Sequence, residues 1–546
     1  MASEVTDTYI IKSTIDISKN INHTNNYIVH LIDAITEEQT TYQQMRDNSV
    51  KCALWFKQLR CEKNIIAMCT NRKMLEYIPF LASLYVGSTI NSWDKKYMKD
   101  NIRILYFLLE YKPNIIFIDS ENYKKLKLVI ETIKSIDPPK IVTFDRIEGV
   151  DSLESILNND FDKTEIDTFS CKNMHPLSTI ASMFSSGATR YPNSKLFIPK
   201  VALMYPSNQE VPVMSSGDIG LWYASLNWSY GVILTIRCII SYVTAIKCSI
   251  FSDKNMYETI EKYKVSWIFL ESKMCRNMIN TDIRMYDISS LKQLVIDDST
   301  INFSEAQQVF HDKFMNVSIV QVYSMYNLNQ FIIFAFQRRN LRLGSSGYVA
   351  KNVQLQFSNI RSQKILGPFR AGIIWYKLIF KWCSPKTCKL PNCYNYRAKE
   401  NTKAQLISKT IHETIKIYFN QWHCTGDYGY YERDGEIFLI DKVKDLIKYR
   451  IFHLSPARIE NTLLQHSAVS EVTVRSVPHI INGHHPVAYV KKKRGAKVTE
   501  DELIKFAAQN LPEIYQLRGG LQFKASMPHL PNGKVDRMLV IGDRVI

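Results

Sequence analysis

The chain reads as an α/β protein: a large N-terminal domain of parallel sheets sandwiched by helices, a smaller barrel-like section, and a small α+β domain at the C-terminus. Three observations predict this. Short apolar strands without alternation are interleaved with helical stretches through the first 150 residues, and the same rhythm returns after residue 250. After about residue 330 the pattern is strand upon strand, with Gly344 and Gly347 marking turns. The last hundred residues carry caps, strands and a helix of their own.

The elements follow in order. A helix over residues 41–59 leads to an apolar strand over 64–69, and a helix near 76–85 precedes a short strand at 88–90. Residues 102–111 are helical, with Pro113 as the stop, and 114–119 form a buried strand. An amphipathic helix over 123–136 precedes the strand 140–145. Residues 231–246, the most apolar stretch, contain Arg237 and are too short to span a bilayer, so they read as one buried helix. Helix 256–263, strand 265–270 and strand 291–296 repeat the first rhythm. The strands of the barrel-like section end before 382, and residues 383–415, polar, lysine-rich and dotted with cysteine, read as an exposed insertion. Near the C-terminus, Ser455 is a helix cap with Pro456 at the first helical position, and Ile459, Leu463 and Leu464 form one apolar face. Val472 and Val474, then Val487, Tyr489 and Val490, mark strands, and residues 501–509 a helix. The predicted domains are therefore 1–440 and 441–546, jointed at residues 442–444.

Composition narrows the function classes. At 46% apolar and 22% charged the chain is globular rather than disordered, and it shows no repeat of solenoid period. The start has no apolar run behind a basic segment, so a cytoplasmic location is expected. The final Arg544-Val545-Ile546 is not the usual peroxisomal signal, and a peroxisome is the alternative. The net charge of +17 favours anionic ligands. Its densest run, Lys491-Lys492-Lys493-Arg494, reads as a solvated hairpin turn, and no nucleic-acid-binding module is visible. Cys383, Cys388 and Cys393 are spaced more widely than paired zinc ligands and read as a surface loop, so no metal site is assigned to them.

The chemistry is concentrated after residue 420. There the chain runs Cys424-Thr425-Gly426-Asp427, then Ile440-Asp441-Lys442-Val443-Lys444, then Lys448, Ser455-Pro456-Ala457-Arg458-Ile459-Glu460, and near its end Pro531-Asn532-Gly533-Lys534. This succession resembles the adenylate-forming (ANL) superfamily, in particular the insect luciferase-like and 4-coumarate-CoA ligase-like acyl-CoA synthetases. The resemblance implies the ANL fold with a mobile C-terminal domain hinged at Lys444. It implies ATP, Mg2+ and coenzyme A, and a fatty or aromatic carboxylic acid as substrate. Activating a carboxylate brings two anions together, so such a site needs amides for phosphate, a cation for the charge that develops, and acceptors for the ribose. By resemblance Asp427 accepts from the ribose, Lys442 stands where an arginine is usual, Lys534 is the catalytic lysine of adenylation, and Lys448 lies on the loop of thioester formation. Ser185, Ser186, Gly187 and Thr189 correspond to the phosphate loop, Tyr323 to the tyrosine that stacks on adenine, and Trp228, Asp298 and Ser299 to the substrate pocket.

The same alignment of motifs shows departures. Arg190 and Ser194 replace glycines of the phosphate loop and Asn193 replaces its lysine. Asn327 stands at the position of the magnesium glutamate, so no metal ligand is assigned. Asp297-Asp298-Ser299-Thr300 replaces a glycine-rich segment, and Ile451 replaces a glycine of the Lys448 loop. Two functions are thus expected: an ATP-dependent ligase making acyl-AMP and then a thioester with coenzyme A, or an impaired paralogue that binds a nucleotide, an acyl group or a partner.

Overall fold

The computed structural model describes residues 29–60, 64–71, 74–133, 137–172, 174, 178–184, 195–199, 214–248, 251–271, 274–275, 278, 281–297, 312–327, 330–336, 342, 344–349, 353–378, 421–529, 535, 537 and 539–540. The chain divides into two compact units. The first comprises Met1–Asp297, Lys313–Val320 and Met325–Ile332; the second comprises Asp298–Asp312, Gln321–Ser324 and Ile333–Ile546.

The first unit is α/β. One sheet runs, edge to edge, Lys140–Thr143, Ile115–Ile118, Ile65–Cys69, Thr89–Ser92, Thr179–Phe184 and Lys195–Pro199. All neighbours are parallel except the last pair. Ile115–Ile118 is buried at every position, as a strand covered on both faces requires. Its helices are set by local chemistry: Thr41 and Gln44 close a capping box at the start of Tyr42–Gln58, and Gly87, at φ +75, ends Tyr77–Val86. A second run of strands, Gln293–Asp297, Trp267–Glu271, Ile219–Trp222, Thr244–Lys247 and Val29–Asp33, is parallel throughout.

The apolar stretch 231–246 is not one helix. The helix Ser229–Ser241 ends at Tyr242, whose φ of 54 is left-handed and whose N–H donates to the carbonyls of Cys238 and Ile239. Thr244–Lys247 is then a strand. A buried helix and a buried parallel strand are equally apolar, so composition hides the break.

The second unit is antiparallel and then α+β. Strands Val353–Ser358, Gly372–Leu378, His423–Tyr431, Glu436–Lys442 and Gly347–Val349 are adjacent in that order, with Gly344 and Gly347 at φ +82 and +90. Downstream, Phe452–Leu454, Ile447–Tyr449, Gly483–Lys492 and Val469–His479 form a separate sheet, with Leu521–Phe523 parallel to Gly483–Lys492. Helices Pro456–Leu464 and Glu500–Asn510 supply Ile459, Leu463, Leu503 and Ala507 to one core with Val472, Val474, Ala488 and Val490. Lys491-Lys492-Lys493-Arg494 is not at a hairpin turn: the chain passes through Gly495, at φ +81, into the helix Glu500–Asn510. Residues 383–415 lie outside the described residues. Among the described residues no helix is long and apolar enough to cross a membrane.

Candidate functional site

The second unit brings three of the expected residues together. Strands His423–Tyr431 and Glu436–Lys442 pair so that Asp427 faces Lys442 directly. The backbone reaches this register through Gly426, at φ +74, a conformation that a side chain disfavours. Thr425 fixes the approach: its hydroxyl donates to the Ile374 carbonyl at 2.7 Å and accepts from the Asp427 N–H at 3.0 Å. Asp427 is 1% exposed. Its Oδ1 pairs with Lys442 Nζ and its Oδ2 accepts from the hydroxyl of Tyr323, on strand Ser318–Asn327. Burial, with the Asp427 charge beside it, pushes the Tyr323 phenol well above its ordinary range. The phenol is therefore a fixed donor near neutral pH.

An ionised carboxylate offers about four lone-pair positions. Two are taken by Tyr323 and Lys442, which leaves capacity for a vicinal diol. At Gly426 no atom lies within 4 Å of where a Cβ would stand, so the backbone beside the carboxylate borders open space. A buried carboxylate held by two partners, with lone pairs to spare, is suited to accepting paired hydroxyls.

Beside this pair stands Asp441, to which the sequence alone gave no role. Asp441, buried, accepts from Ser455 Oγ at 2.5 Å, from the Ala457 N–H at 3.2 Å and from the Lys442 N–H at 2.8 Å. It thereby ties strand Glu436–Lys442 to the start of helix Pro456–Leu464. Burial holds its carboxyl above the ordinary value. Lys444 lies on the single turn Val443–Asp445 and is exposed. Glu460 accepts from the Val474 N–H and from Arg537 Nη2, both at 2.7 Å, and Arg537 Nη1 lies 3.6 Å from Asp445. Arg537 follows Lys534 by three residues, and His529 and Val535 form a bridge on either side of it. His529 in turn meets Glu471 at 2.7 Å. The visible signals were Asp441 and Glu460 inside the quoted motifs; the partnership of Glu460 with Arg537 spans 77 residues and has no local trace.

Lys448 is exposed on strand Ile447–Tyr449, opposite His453. The following turn places Arg450 at φ +51 and leaves Ile451 69% exposed. Trp228 belongs to the first unit, where it precedes helix Ser229–Ser241 and packs 5.0 Å from Tyr230 and 5.9 Å from Phe269 between ring centroids. Trp267 is a core residue stacked on Trp222 at 5.6 Å. Asn327 ends strand Ser318–Asn327. Ser185, Ser186, Gly187, Thr189, Asp298, Ser299 and Lys534 lie outside the described residues. Among the described residues no group of three or more His, Cys, Asp or Glu is placed to hold a metal ion.

Comparison with known proteins agrees in family and fold. Residues 20–378 match the AMP-binding enzyme family, and residues 458–534 match the AMP-binding enzyme C-terminal domain. The chain is 24% identical over 523 residues to luciferin 4-monooxygenase of Photuris pensylvanica, covering 94% of this chain and 91% of that protein. It is 24% identical over 526 residues to 4-coumarate-CoA ligase 1 of Narcissus pseudonarcissus, covering 93% and 89%. Its fold is similar to that of ATP-bound MatB from Rhodopseudomonas palustris, with a TM-score of 0.76 at 14% identity over 97% of both chains. The architecture is thus the α/β adenylate-forming fold: a large N-terminal domain, a half-barrel sheet and a C-terminal AMP-binding domain.

Proposed function

We propose, for a chain that belongs to the AMP-binding enzyme family, that it activates a carboxylic acid with ATP. The carboxylate oxygen attacks the α-phosphorus, pyrophosphate leaves, and acyl-AMP is formed. The thiol of coenzyme A then attacks the acyl carbon, AMP leaves, and a thioester results. Adenylate formation is the family's chemistry and ATP binding is typical of it; the acid-thiol ligase step and the residue roles are our reading.

The observation that carries this reading is the buried Asp427, held by Lys442 and Tyr323 with acceptor capacity to spare. In this role Asp427 accepts from the ribose hydroxyls, and Lys442 orients the carboxylate. Lys534 carries the cation that bridges substrate carboxylate and α-phosphate. Ser185, Ser186, Gly187 and Thr189 contribute phosphate contacts, with the Arg190 guanidinium in place of the missing lysine. Trp228, Asp298 and Ser299 border the acid, which we assign to the fatty or aromatic class. A magnesium ion would neutralise phosphate charge, but the position expected to hold it is Asn327, a neutral amide and a poor ligand.

That substitution favours a second reading. With Asn327, Arg190 and Asn193 in the nucleotide motifs, and Asp297 buried where a glycine is usual, the chain would be an impaired paralogue that binds nucleotide or acyl group without turnover. Calorimetry with ATP, with and without magnesium, followed by pyrophosphate release over a panel of fatty and aromatic acids, separates the two. Acid-dependent release supports the ligase. Binding without release supports the paralogue, and no nucleotide binding refutes both nucleotide readings.

A further inference from the structure

Two β-turns of the C-terminal sheet stand side by side. Strand Ile447–Tyr449 reverses through Arg450 and Ile451 into Phe452–Leu454, and strand Val469–His479 reverses through residues 480–482 into Gly483–Lys492. Tyr449 pairs with Gly483, and the N–H and Nε of Arg450 each donate to Asn482 at 2.8 Å, which locks the two tips together. At these tips Ile451, Phe452, Ile480 and Ile481 are 69%, 42%, 104% and 84% exposed. A single exposed isoleucine is ordinary; four neighbouring apolar side chains at one prominence are not.

The tips are held rigidly. His479 Nδ1 accepts from the N–H groups of Ile481 at 3.3 Å and Asn482 at 3.2 Å, and its ring stacks on His485 at 4.0 Å. Beneath them the Tyr449 ring lies between the guanidinium groups of Arg450 and Arg518, at 5.3 and 4.7 Å. The isoleucines are therefore presented outward by an ordered scaffold.

The segments that form the tips are cationic. Residues 446–459 and 472–499 contain no Asp or Glu, and Lys448 and Arg450 stand on the first hairpin, while Arg518 below has a counter-ion in Glu513 at 3.5 Å. Arg361 adds a further guanidinium, 3.4 Å from the Ile451 carbonyl. A second copy of the chain would oppose like charges tip to tip, and four side chains fall well short of the ~800 Å² per partner of a stable interface. Apolar tips ringed by cations match the boundary between acyl chains and anionic headgroups. We infer that the paired tips dock this protein on an anionic phospholipid bilayer, with Ile480 and Ile481 entering the headgroup region and the cations remaining at the phosphates. Ile451 shares the turn that follows Lys448, so the test is placed on Ile480 and Ile481, to which the catalytic reading gives no role.

The test uses the full chain and extruded vesicles, either phosphatidylcholine with phosphatidylserine or phosphatidylcholine alone. Co-sedimentation should favour the mixed vesicles and weaken with salt. The double variant Ile480→Ser/Ile481→Ser should lower partitioning about tenfold or more, by loss of apolar burial, with an unchanged melting temperature. As a second measurement, the indole introduced by Ile480→Trp should be quenched by brominated acyl chains. Absent binding to the mixed vesicles, equal binding by the double variant, or an unquenched indole would overturn the inference. So would a concentration-dependent dimer that dissolves in the double variant while vesicle binding is absent.

Discussion

Replacing Asp427 with Asn tests the proposed nucleotide site most locally. The exchange keeps shape and one acceptor oxygen but removes the charge. Tyr323 retains an oxygen to donate to, so its buried hydroxyl is not stranded. Lys442 loses its counter-ion, but its side chain is 39% exposed and can turn to water. The stability cost is therefore modest, about 1–2 kcal/mol, from one hydrogen bond and a partly screened ion pair. Asp427→Ala would cost about 1–3 kcal/mol more, because it removes the buried carboxylate to which the Tyr323 hydroxyl donates. For the nucleotide, a hydrogen bond to a charged acceptor is worth about 1.5–3 kcal/mol, which corresponds to a tenfold to hundredfold loss of affinity. Calorimetry with ATP and with AMP gives that number, and thermal unfolding verifies that the variant is folded. A folded Asp427→Asn protein that binds both nucleotides as tightly as its parent would refute the assignment.

Three further outcomes are expected. Ile451→Gly removes a β-branched side chain from the exposed turn after Lys448 and should raise the coenzyme A-dependent step without changing pyrophosphate exchange, as read by separate assays of the two half-reactions; equal thioester yields in parent and variant would contradict this. Asn327→Glu should strengthen ATP binding only when magnesium is present, by supplying an anionic ligand, and a magnesium-independent change would refute that role. Burial holds the Glu460 carboxyl above its ordinary 4.5, so the folded chain holds this proton more tightly than the unfolded chain. The group's contribution to stability is then present below 4.5 and is lost as pH rises through the raised value. In urea unfolding, the stability of the parent minus that of Glu460→Gln should shrink over that rise, and a difference that grows with pH would contradict it.

Much of the architecture was legible because burial leaves a plain mark. Strand Ile115–Ile118 is covered on both faces, so its four residues are uniformly apolar. Ser455 and Pro456 announce a helix that begins where they stand, with Ser455 Oγ accepting from the Arg458 N–H. Gly426 takes a left-handed φ of +74 within strand His423–Tyr431, and a glycine just before Asp427 is the residue that allows it. What was not legible is what depends on distance along the chain or on a choice between two apolar states. The apolar stretch around Tyr242 serves a helix and then a strand, and no periodicity separates them. The Tyr323 hydroxyl finds Asp427 across 104 residues, a partnership with no local trace in the sequence. Asp441 looked like a motif residue without a task, yet it joins strand Glu436–Lys442 to helix Pro456–Leu464.

The central claim is that this chain forms an acyl-adenylate, and exchange of labelled pyrophosphate into ATP measures that step alone. Over the panel of fatty and aromatic acids, the parent should show exchange that depends on at least one acid, and Lys534→Ala should abolish it while ATP binding persists, since that lysine's charge is proposed for the transition state. Nucleotide binding by the parent with no acid-dependent exchange, or exchange undiminished in Lys534→Ala, would contradict the account.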